Sequence, residues 1–329
     1  MKRILSFAVP ALLMACAAFT ACNNDDKQNP QEPEKIAATG VEFVDANGNA
    51  VSEITVEEGA DAGVKYRFIP KGSIGEVDFA YSDERIAVYK EGVEALWPGK
   101  ATVTATLKGT EQSAKLIVNI KLAPANKEIT PEGDNHEGID LGLTSGTLWA
   151  DGNLGYDGEY QEYAMGKWYY WDLIESPSDN KFTQEYYTGK IPMDISEDIA
   201  GSIHDPAAMN WGGNWRMPTR AQFEELMKEC SWKSGTANDG MFKGYWVKGP
   251  NGKQIFLPYS ASCDYRGWTR DFNNHDYGCY WSSTPAGAGL ADYLYFNQYN
   301  NIWINMGSYG PGVKYSGHSI RPVMPASGK

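Results

Sequence analysis

Short runs of alternating hydrophobic and polar residues fill positions 36–122. In "ATVTATL" (101–107) the valine and the threonines fall on opposite faces, so one face of the predicted strand can be buried. Similar β-rich runs recur at roughly the spacing of a sandwich, with turn signals such as Asn47-Gly48 between them. The pattern predicts an all-β sandwich and contains no titratable cluster typical of catalysis.

Helical periodicity is scarce after residue 137 and is clearest downstream of Thr219. Thr219 and Gln222 have the spacing of a capping box, so we expect a helix to begin there. The preceding "WGGNW" (211–215) is predicted to form a turn and a short strand. Apolar residues at helical spacing predict one buried face, formed by Phe223, Leu226, Met227 and Cys230.

Arg216 lies between a tryptophan and this helix start. It can hold a ligand anion, or it can pair with carboxylates or carbonyls inside the fold. Because an enclosed guanidinium must be paired, we favour a structural role. The residues predicted to be structural are Trp215, Arg216, Thr219, Trp281 and Arg321.

The composition excludes one class of partner. The 329 residues carry a formal net charge of -13 and the pI is near 4.8. This charge opposes phosphate backbones, so we expect no nucleic acid partner.

The N-terminus is typical of an export signal, because two basic residues precede an apolar run at 4–19. The run ends in "FTAC", which resembles a bacterial lipobox and implies a signal peptide over 1–22 with lipidation at Cys22. The acidic "NNDD" that follows resembles the export tags of surface lipoproteins in Bacteroidota. Residues 23–35 then form a flexible tether. The expected location is the outer membrane, lipid-anchored and facing outward; an ordinary secretory peptide with a free Cys22 is the alternative.

Several motifs within 36–122 carry a family resemblance. They are Pro70, "YSDERIAV" (81–88), Gly92, "PGKATVTATLKG" (98–109) and "LIVNI" (116–120). Together they resemble the bacterial Ig-like group 2 family. The resemblance implies an Ig-like domain that acts as a spacer, with direct adhesion as the alternative.

A second resemblance follows a predicted linker at 123–136 and covers residues 137–326. Its segments, in order, are "IDLGLTSGTLWADGNLG" (139–155), "AMGKWYYW" (164–171), "GGNWRMPTRAQFEELMKECSW" (212–232), "GYWVKGPNGKQIFLP" (244–258), "YWSSTP" (280–285), "YLYF" (293–296) and "SIRPV" (319–323). They resemble the major paralogous domain family of Fibrobacter and Bacteroidota, and the C-terminal domain of the Legionella collagen-like adhesin. The resemblance implies an α+β C-type lectin-like fold with few helices, a twisted antiparallel sheet and long loops.

The same fold houses formylglycine-generating enzymes, which work through a pair of reactive cysteines near the C-terminal end. No cysteine follows Cys279, so this chemistry is not supported. The four histidines are isolated and no G-x-S-x-G elbow accompanies them. A carboxylate-rich stretch is usually a solvated face, and here it contains Glu159, Glu162, Asp172 and Glu175. We therefore expect that this protein is not an enzyme.

Calcium is the one metal that the sequence leaves open. The loop "RDFNNHDYG" (270–278) places oxygen ligands at alternating positions, which suits Ca²⁺, but the spacing is not that of an EF-hand. The Glu-Pro-Asn, Gln-Pro-Asp and Trp-Asn-Asp motifs of calcium-dependent C-type lectins are missing, since Trp281 is followed by two serines. No cofactor is expected, and structural calcium stays possible.

Cys263 and Cys279 bracket the longer loop "DYRGWTRDFNNHDYG" (264–278). Export permits a disulfide between them, which would stabilise the fold by about 3 kcal/mol in the chain-entropy model. Two free thiols are the alternative. Cys230 is expected to be a small buried hydrophobe.

The best ligand candidates lie in the loop between these two cysteines and in 297–315. Large flat side chains there stand among polar ones, and sugar rings pack their C–H faces on aromatic faces while amides and carboxylates bind hydroxyls. The alternative is a structural role, in which the aromatic residues fill the core and the amides stabilise turns. The candidates are Tyr265, Trp268, Asp271, Asn273, Asn274, Tyr299 and Trp303.

Together these features predict a surface lipoprotein whose lectin-like head, on an Ig-like stalk, binds a glycan or a protein on a host or bacterial surface. The chain would touch the membrane through its lipid alone. A structural or fimbria-associated assembly component is the alternative, and an enzyme is disfavoured.

Overall fold

Short strands dominate the fold, and the few helices are short. The sequence predicts an all-β part followed by an α+β part, and the structure confirms that the protein is mostly β. The predicted signal peptide and tether, with Cys22, lie outside the described residues. The computed structural model describes residues 36–156, 158–177, 182–191, 193–262, 276–305 and 312–325.

Strands alone form the N-terminal part of the described chain. Its main sheet has the order β2-β8-β7-β4, in which β2 runs parallel to β8 and the other pairs are antiparallel. Strand β1 pairs with β3, and β5 pairs with β6. The strands are β1 (Gly40–Val44), β2 (Glu53–Glu57), β3 (Lys65–Ile69), β4 (Val77–Tyr81), β5 (Ala87–Tyr89), β6 (Val93–Ala95), β7 (Gly99–Leu107) and β8 (Ser113–Lys121).

Strand β7 has the alternation that the sequence predicts. Ala101, Val103 and Ala105 are buried, whereas the threonines between them are half-buried. Side chains of successive strand residues point to opposite faces, so the period of two selects one face for the core. This face packs into the cluster that holds the N-terminal strands together.

The C-terminal part combines strands with short helices. Three sheets of three strands have the orders β17-β10-β9, β11-β12-β13 and β14-β15-β16. Two clusters of buried side chains form its core. The elements are α1 (Pro131–Asp134), β9 (Gly138–Asp140), β10 (Leu148–Ala150), α2 (Gln184–Lys190), α3 (Pro206–Trp211), α4 (Arg220–Glu229), β11 (Ser231–Ala237), β12 (Phe242–Lys248), β13 (Gln254–Pro258), β14 (Tyr277–Gly287), β15 (Leu290–Asn297), β16 (Ile302–Asn305) and β17 (Val323–Met324).

Helix α4 begins at the predicted cap. The Thr219 hydroxyl accepts the Gln222 backbone N–H, and the Gln222 side chain accepts the Thr219 backbone N–H at 2.9 Å. Phe223 and Leu226 are fully buried on the inner face. Cys230 is the half-buried C-cap residue, and burial raises its pKa to about 11.

The prediction of a turn at Trp211 was wrong, because this residue ends helix α3. Asp205 caps the helix by accepting the N–H groups of Ala207 and Ala208. Helix α3 has six residues, too few for its apolar spacing to be recognised. Trp211 and Trp215 are buried and meet edge to face, with ring centroids 5.1 Å apart.

Residues 123–136, predicted as a linker, pack against helix α3. The Thr130 N–H donates to the Trp211 carbonyl at 2.8 Å, and the His136 ring stacks on the Trp211 ring at 3.9 Å. His136 Nδ1 also lies 2.7 Å from Asp151 Oδ1. Polar composition suggested a spacer, but these tertiary hydrogen bonds make the segment part of the packed structure.

Arg321 is completely buried, and its guanidinium binds the backbone of two neighbouring segments. Its Nε donates to Asn153 Oδ1, while Nη1 donates to the carbonyls of Ala150 and Asp151. Nη2 donates to the Phe256 carbonyl at 2.7 Å. Burial lowers its pKa to about 10, and these bonds compensate the buried charge.

Arg216 differs from Arg321 in the hydrogen bonds that its guanidinium forms. Its backbone N–H and C=O exchange hydrogen bonds with Val323, but its Nε is buried without a partner among the described residues. Trp281 is fully buried, and its indole N–H donates to the Tyr169 carbonyl at 2.9 Å.

Candidate ligand-binding site

The sheet β14-β15-β16 presents one face of aromatic and amide side chains. Alternation along β14 places Tyr277, Cys279 and Trp281 on this face. The register aligns Cys279 with Tyr295, and Tyr295 with Trp303. Large rings from three strands are therefore neighbours on one surface, which we call the aromatic face: Tyr277, Tyr293, Tyr295 and Trp303.

The rings on this face are stacked in a row. The Tyr295 and Trp303 centroids are 4.5 Å apart with planes inclined by 24°, and those of Tyr277 and Tyr295 are 5.8 Å apart at 23°. Offset stacking of this kind is favourable beyond the area that it buries. Tyr295 thus supports the indole of Trp303 from one side.

Trp303 is the ring at the open end of the row. Its side chain is 42% exposed, whereas Trp281 deeper on the same face has no exposed surface. Tyr299, in the turn between β15 and β16, is 74% exposed. Large exposed rings at one sheet edge are typical of a contact surface.

Hydrogen bonds order the turn that carries Tyr299. Asn297 Oδ1 accepts the backbone N–H groups of Tyr299 and Asn301, at 3.0 and 3.3 Å. Asn300 has a positive φ of 60°, and its Oδ1 accepts the Tyr245 hydroxyl at 3.0 Å. These asparagines therefore hold the turn.

The face is uncharged in the part of the chain that the structure describes. Its polar groups are tyrosine hydroxyls and amides, and Asn305 donates to the Tyr293 hydroxyl at 2.8 Å. Burial raises the pKa of Tyr293 above its ordinary value, so this hydroxyl stays protonated. The partly exposed groups among them, on Tyr295 and Asn305, can bind hydroxyls but offer no charge to an anion.

The opposite face of the sheet is buried as well, since Cys279, Trp281 and Tyr293 bury much of the aromatic face and leave its outer end exposed at Trp303. Phe296, Leu294 and Tyr280 are fully buried on the inner face. A Cβ at Gly278 would come within 2.4 Å of the Phe296 ring, so the strand crosses that ring closely only with glycine there. The inner face is therefore anchored in the core.

Of the predicted ligand residues, Tyr299 and Trp303 lie at this exposed edge. The other five, Tyr265, Trp268, Asp271, Asn273 and Asn274, lie outside the described residues. Sequence reasoning missed Tyr277 and Tyr295 as partners of Trp303. The alternation in "YGCYW" and "YLYFN" was a signal for them, because it places every second ring on one face.

The disulfide predicted between Cys263 and Cys279 stays a prediction, because Cys263 lies outside the described residues. Cys279 is fully buried. Burial raises the pKa of Cys279 well above that of an exposed thiol. Its strand position directs the side chain toward the buried cluster of Trp281 and its neighbours.

Side chains considered for catalysis are dispersed. Glu159, Glu162 and Glu175 are exposed, whereas Asp172 is buried. Within the described ranges, no three His, Cys, Asp or Glu side chains are grouped as metal ligands. The calcium-binding residues considered from the sequence lie mainly outside those ranges, so calcium stays an open expectation.

No family model matches the chain, and no curated protein matches it. None of the helices in the described segments is both long and apolar enough to cross a membrane.

Proposed function

We propose that this protein is a cell-surface binding protein that recognises glycans through its aromatic face. In this proposal residues 36–122 are an Ig-like spacer, residues 137–326 are a C-type lectin-like head, and lipidated Cys22 anchors the chain in the outer membrane. The sequence resemblances support these domain identities, and the mostly β fold is compatible with them.

The observation that carries the proposal is the exposed indole of Trp303 stacked on Tyr295. A free ring face beside hydroxyl and amide groups suits the C–H face of a sugar. The stack also restrains the indole before a ligand arrives, which lowers the entropy cost of binding. Among the described residues the face carries no charge, which favours a neutral sugar over an anionic one.

The test compares the wild-type protein with Trp303→Ala on a glycan array, followed by titration of the sugars that bind. Tyr186→Ala is the matched control, because Tyr186 is also 42% exposed and also stacks on a tyrosine, Tyr170. We expect Trp303→Ala to weaken binding about tenfold, the equivalent of about 1.4 kcal/mol. The control should bind as the wild type does.

Equal binding by wild type and Trp303→Ala would contradict the assignment of the site. Binding to no glycan, together with cross-linking to a surface protein in whole cells, would favour the assembly component instead. The anchor is tested separately: Cys22→Ala should release the protein from the membrane fraction, and retention of the variant there would overturn the lipidation proposal.

A further inference from the structure

The buried amine of Lys314 meets the carboxylate of Asp194, whose side chain is 34% exposed. The Lys314 side chain has no exposed surface, and its Nζ lies 2.6 Å from Asp194 Oδ1. The two residues are 120 positions apart in sequence. Nζ also donates to the Ile195 carbonyl, so both of these oxygen partners belong to two consecutive residues.

Backbone hydrogen bonds hold both partners in position. The Lys314 N–H donates to the Gly289 carbonyl at 3.0 Å, and the Gly289 N–H donates to Asp194 Oδ2 at 2.9 Å. The Trp171 ring lies 4.0 Å from Nζ and shields it from water. A fixed pair of reacting groups has a high effective concentration, which favours reaction between them.

A second carboxyl, that of Asp172, interacts electrostatically with Lys314. Asp172 is buried, its Oδ2 accepts the Tyr187 hydroxyl at 2.9 Å, and its Oδ1 has no partner among the described residues. Burial raises the pKa of Asp172 to about 6 and lowers the pKa of Lys314. Burial thus favours the neutral amine that can attack and a carboxyl that can carry a proton.

We propose that Lys314 Nζ and Asp194 Cγ become joined by an isopeptide bond in the folded protein. The C–N bond forms and the bond from Cγ to Oδ1 breaks. The ammonium and the carboxylate together lose one water molecule and leave a neutral amide, so nothing is oxidised or reduced.

The neighbouring groups have defined parts in this step. The Gly289 N–H stabilises the charge that develops on Asp194 Oδ2 in the tetrahedral intermediate. Lys314 Nζ passes one proton to Asp194 Oδ1 across their 2.6 Å contact, which leaves a neutral amine and a protonated carboxyl. Asp172 accepts a second proton from the attacking amine and gives it to the departing oxygen, which leaves as water. The product is favoured because a neutral amide removes the cost of keeping the Lys314 ammonium, whose side chain has no exposed surface, out of water.

The exposed pair of Lys108 and Glu76 is an internal control. Its Nζ and carboxylate oxygen are 2.7 Å apart, a distance similar to that between Lys314, which is buried, and Asp194. Both side chains are more than half exposed, so water competes for the groups and the charged forms are favoured. We expect no bond there.

Tryptic peptide mapping of the purified full-length protein tests the proposal. Trypsin does not cleave after an acylated lysine, so cleavage after Lys314 should be lost while cleavage after Lys108 stays normal. Peptide 191–216, which contains Asp194, should be joined to the peptide that begins at residue 271, with a mass one water molecule below their sum.

Three variants locate the reacting groups. Lys314→Arg and Asp194→Ala should abolish the joined peptide, and Asp172→Asn should reduce it at least tenfold in freshly synthesised protein. Asp198→Ala, a nearby acidic position, should keep it. Complete cleavage after Lys314 in the wild-type protein would overturn the proposal, and this single result decides it even where a variant fails to fold.

Discussion

His204 Nε2 lies 2.9 Å from Glu58 Oε2, although the residues are 146 positions apart. The two side chains are only 10% and 8% exposed, and the ring of Trp97 meets the imidazole edge to face at 4.9 Å. Trp97 comes from the N-terminal strands but belongs to a C-terminal core cluster. The two parts of the described chain therefore share buried side chains, in keeping with one compact unit over residues 37–329.

Replacing Trp97 tests this shared packing. Trp97→Ala should lower the free energy of unfolding by about 3 to 5 kcal/mol, because a large buried ring leaves a cavity. Urea denaturation measures the change. Leu96→Ala is the control, because the side chain of Leu96 is 41% exposed and its removal should change the free energy of unfolding little. Similar losses for both variants would contradict a specific role of Trp97.

The cap of helix α4 makes a smaller but defined contribution. Thr219→Ala removes the oxygen that accepts the Gln222 N–H and should cost about 1 kcal/mol of stability. Thr219→Ser keeps that oxygen and should restore most of the loss. The comparison uses denaturant midpoints, and an unstable serine variant would show that the methyl group matters more than the cap.

Arg321 should be one of the most sensitive positions. Arg321→Met removes the donors for three backbone carbonyls and Asn153, and leaving such buried groups unpaired should cost at least about 3 kcal/mol. Arg85→Ala is the control, because Arg85 forms an exposed ion pair with Asp83 and should leave stability nearly unchanged. Thermal unfolding of both variants separates the two environments.

The cysteines should differ in reactivity in the native state. Thiolates are the reactive species, and burial raises the pKa of Cys279, so iodoacetamide should label it only after unfolding. Cys230, with its pKa raised to about 11 and partial exposure, should react slowly but measurably. Peptide mapping after timed labelling measures the extent of alkylation at each cysteine. Rapid native labelling of Cys279 would contradict its burial.

Local patterns predicted local structure well. The alternation in strand β7 and the Thr219 capping box depend on neighbouring residues, so both could be inferred before any contact was known. Helix α3 and the packing of residues 123–136 were missed. Short elements carry little periodicity, and their hydrogen bonds run to distant partners such as Trp211.

The sequence by itself determined the strand-rich character, the helix after Thr219 and the candidacy of Tyr299 and Trp303, because residue type and spacing express these directly. Only the tertiary structure decided that Trp303 stacks on Tyr295 and that Lys314 meets Asp194. Strand register and long-range packing bring such residues together. The energies of these long-range contacts depend on the whole fold, so no stretch of neighbouring residues can encode the contacts alone.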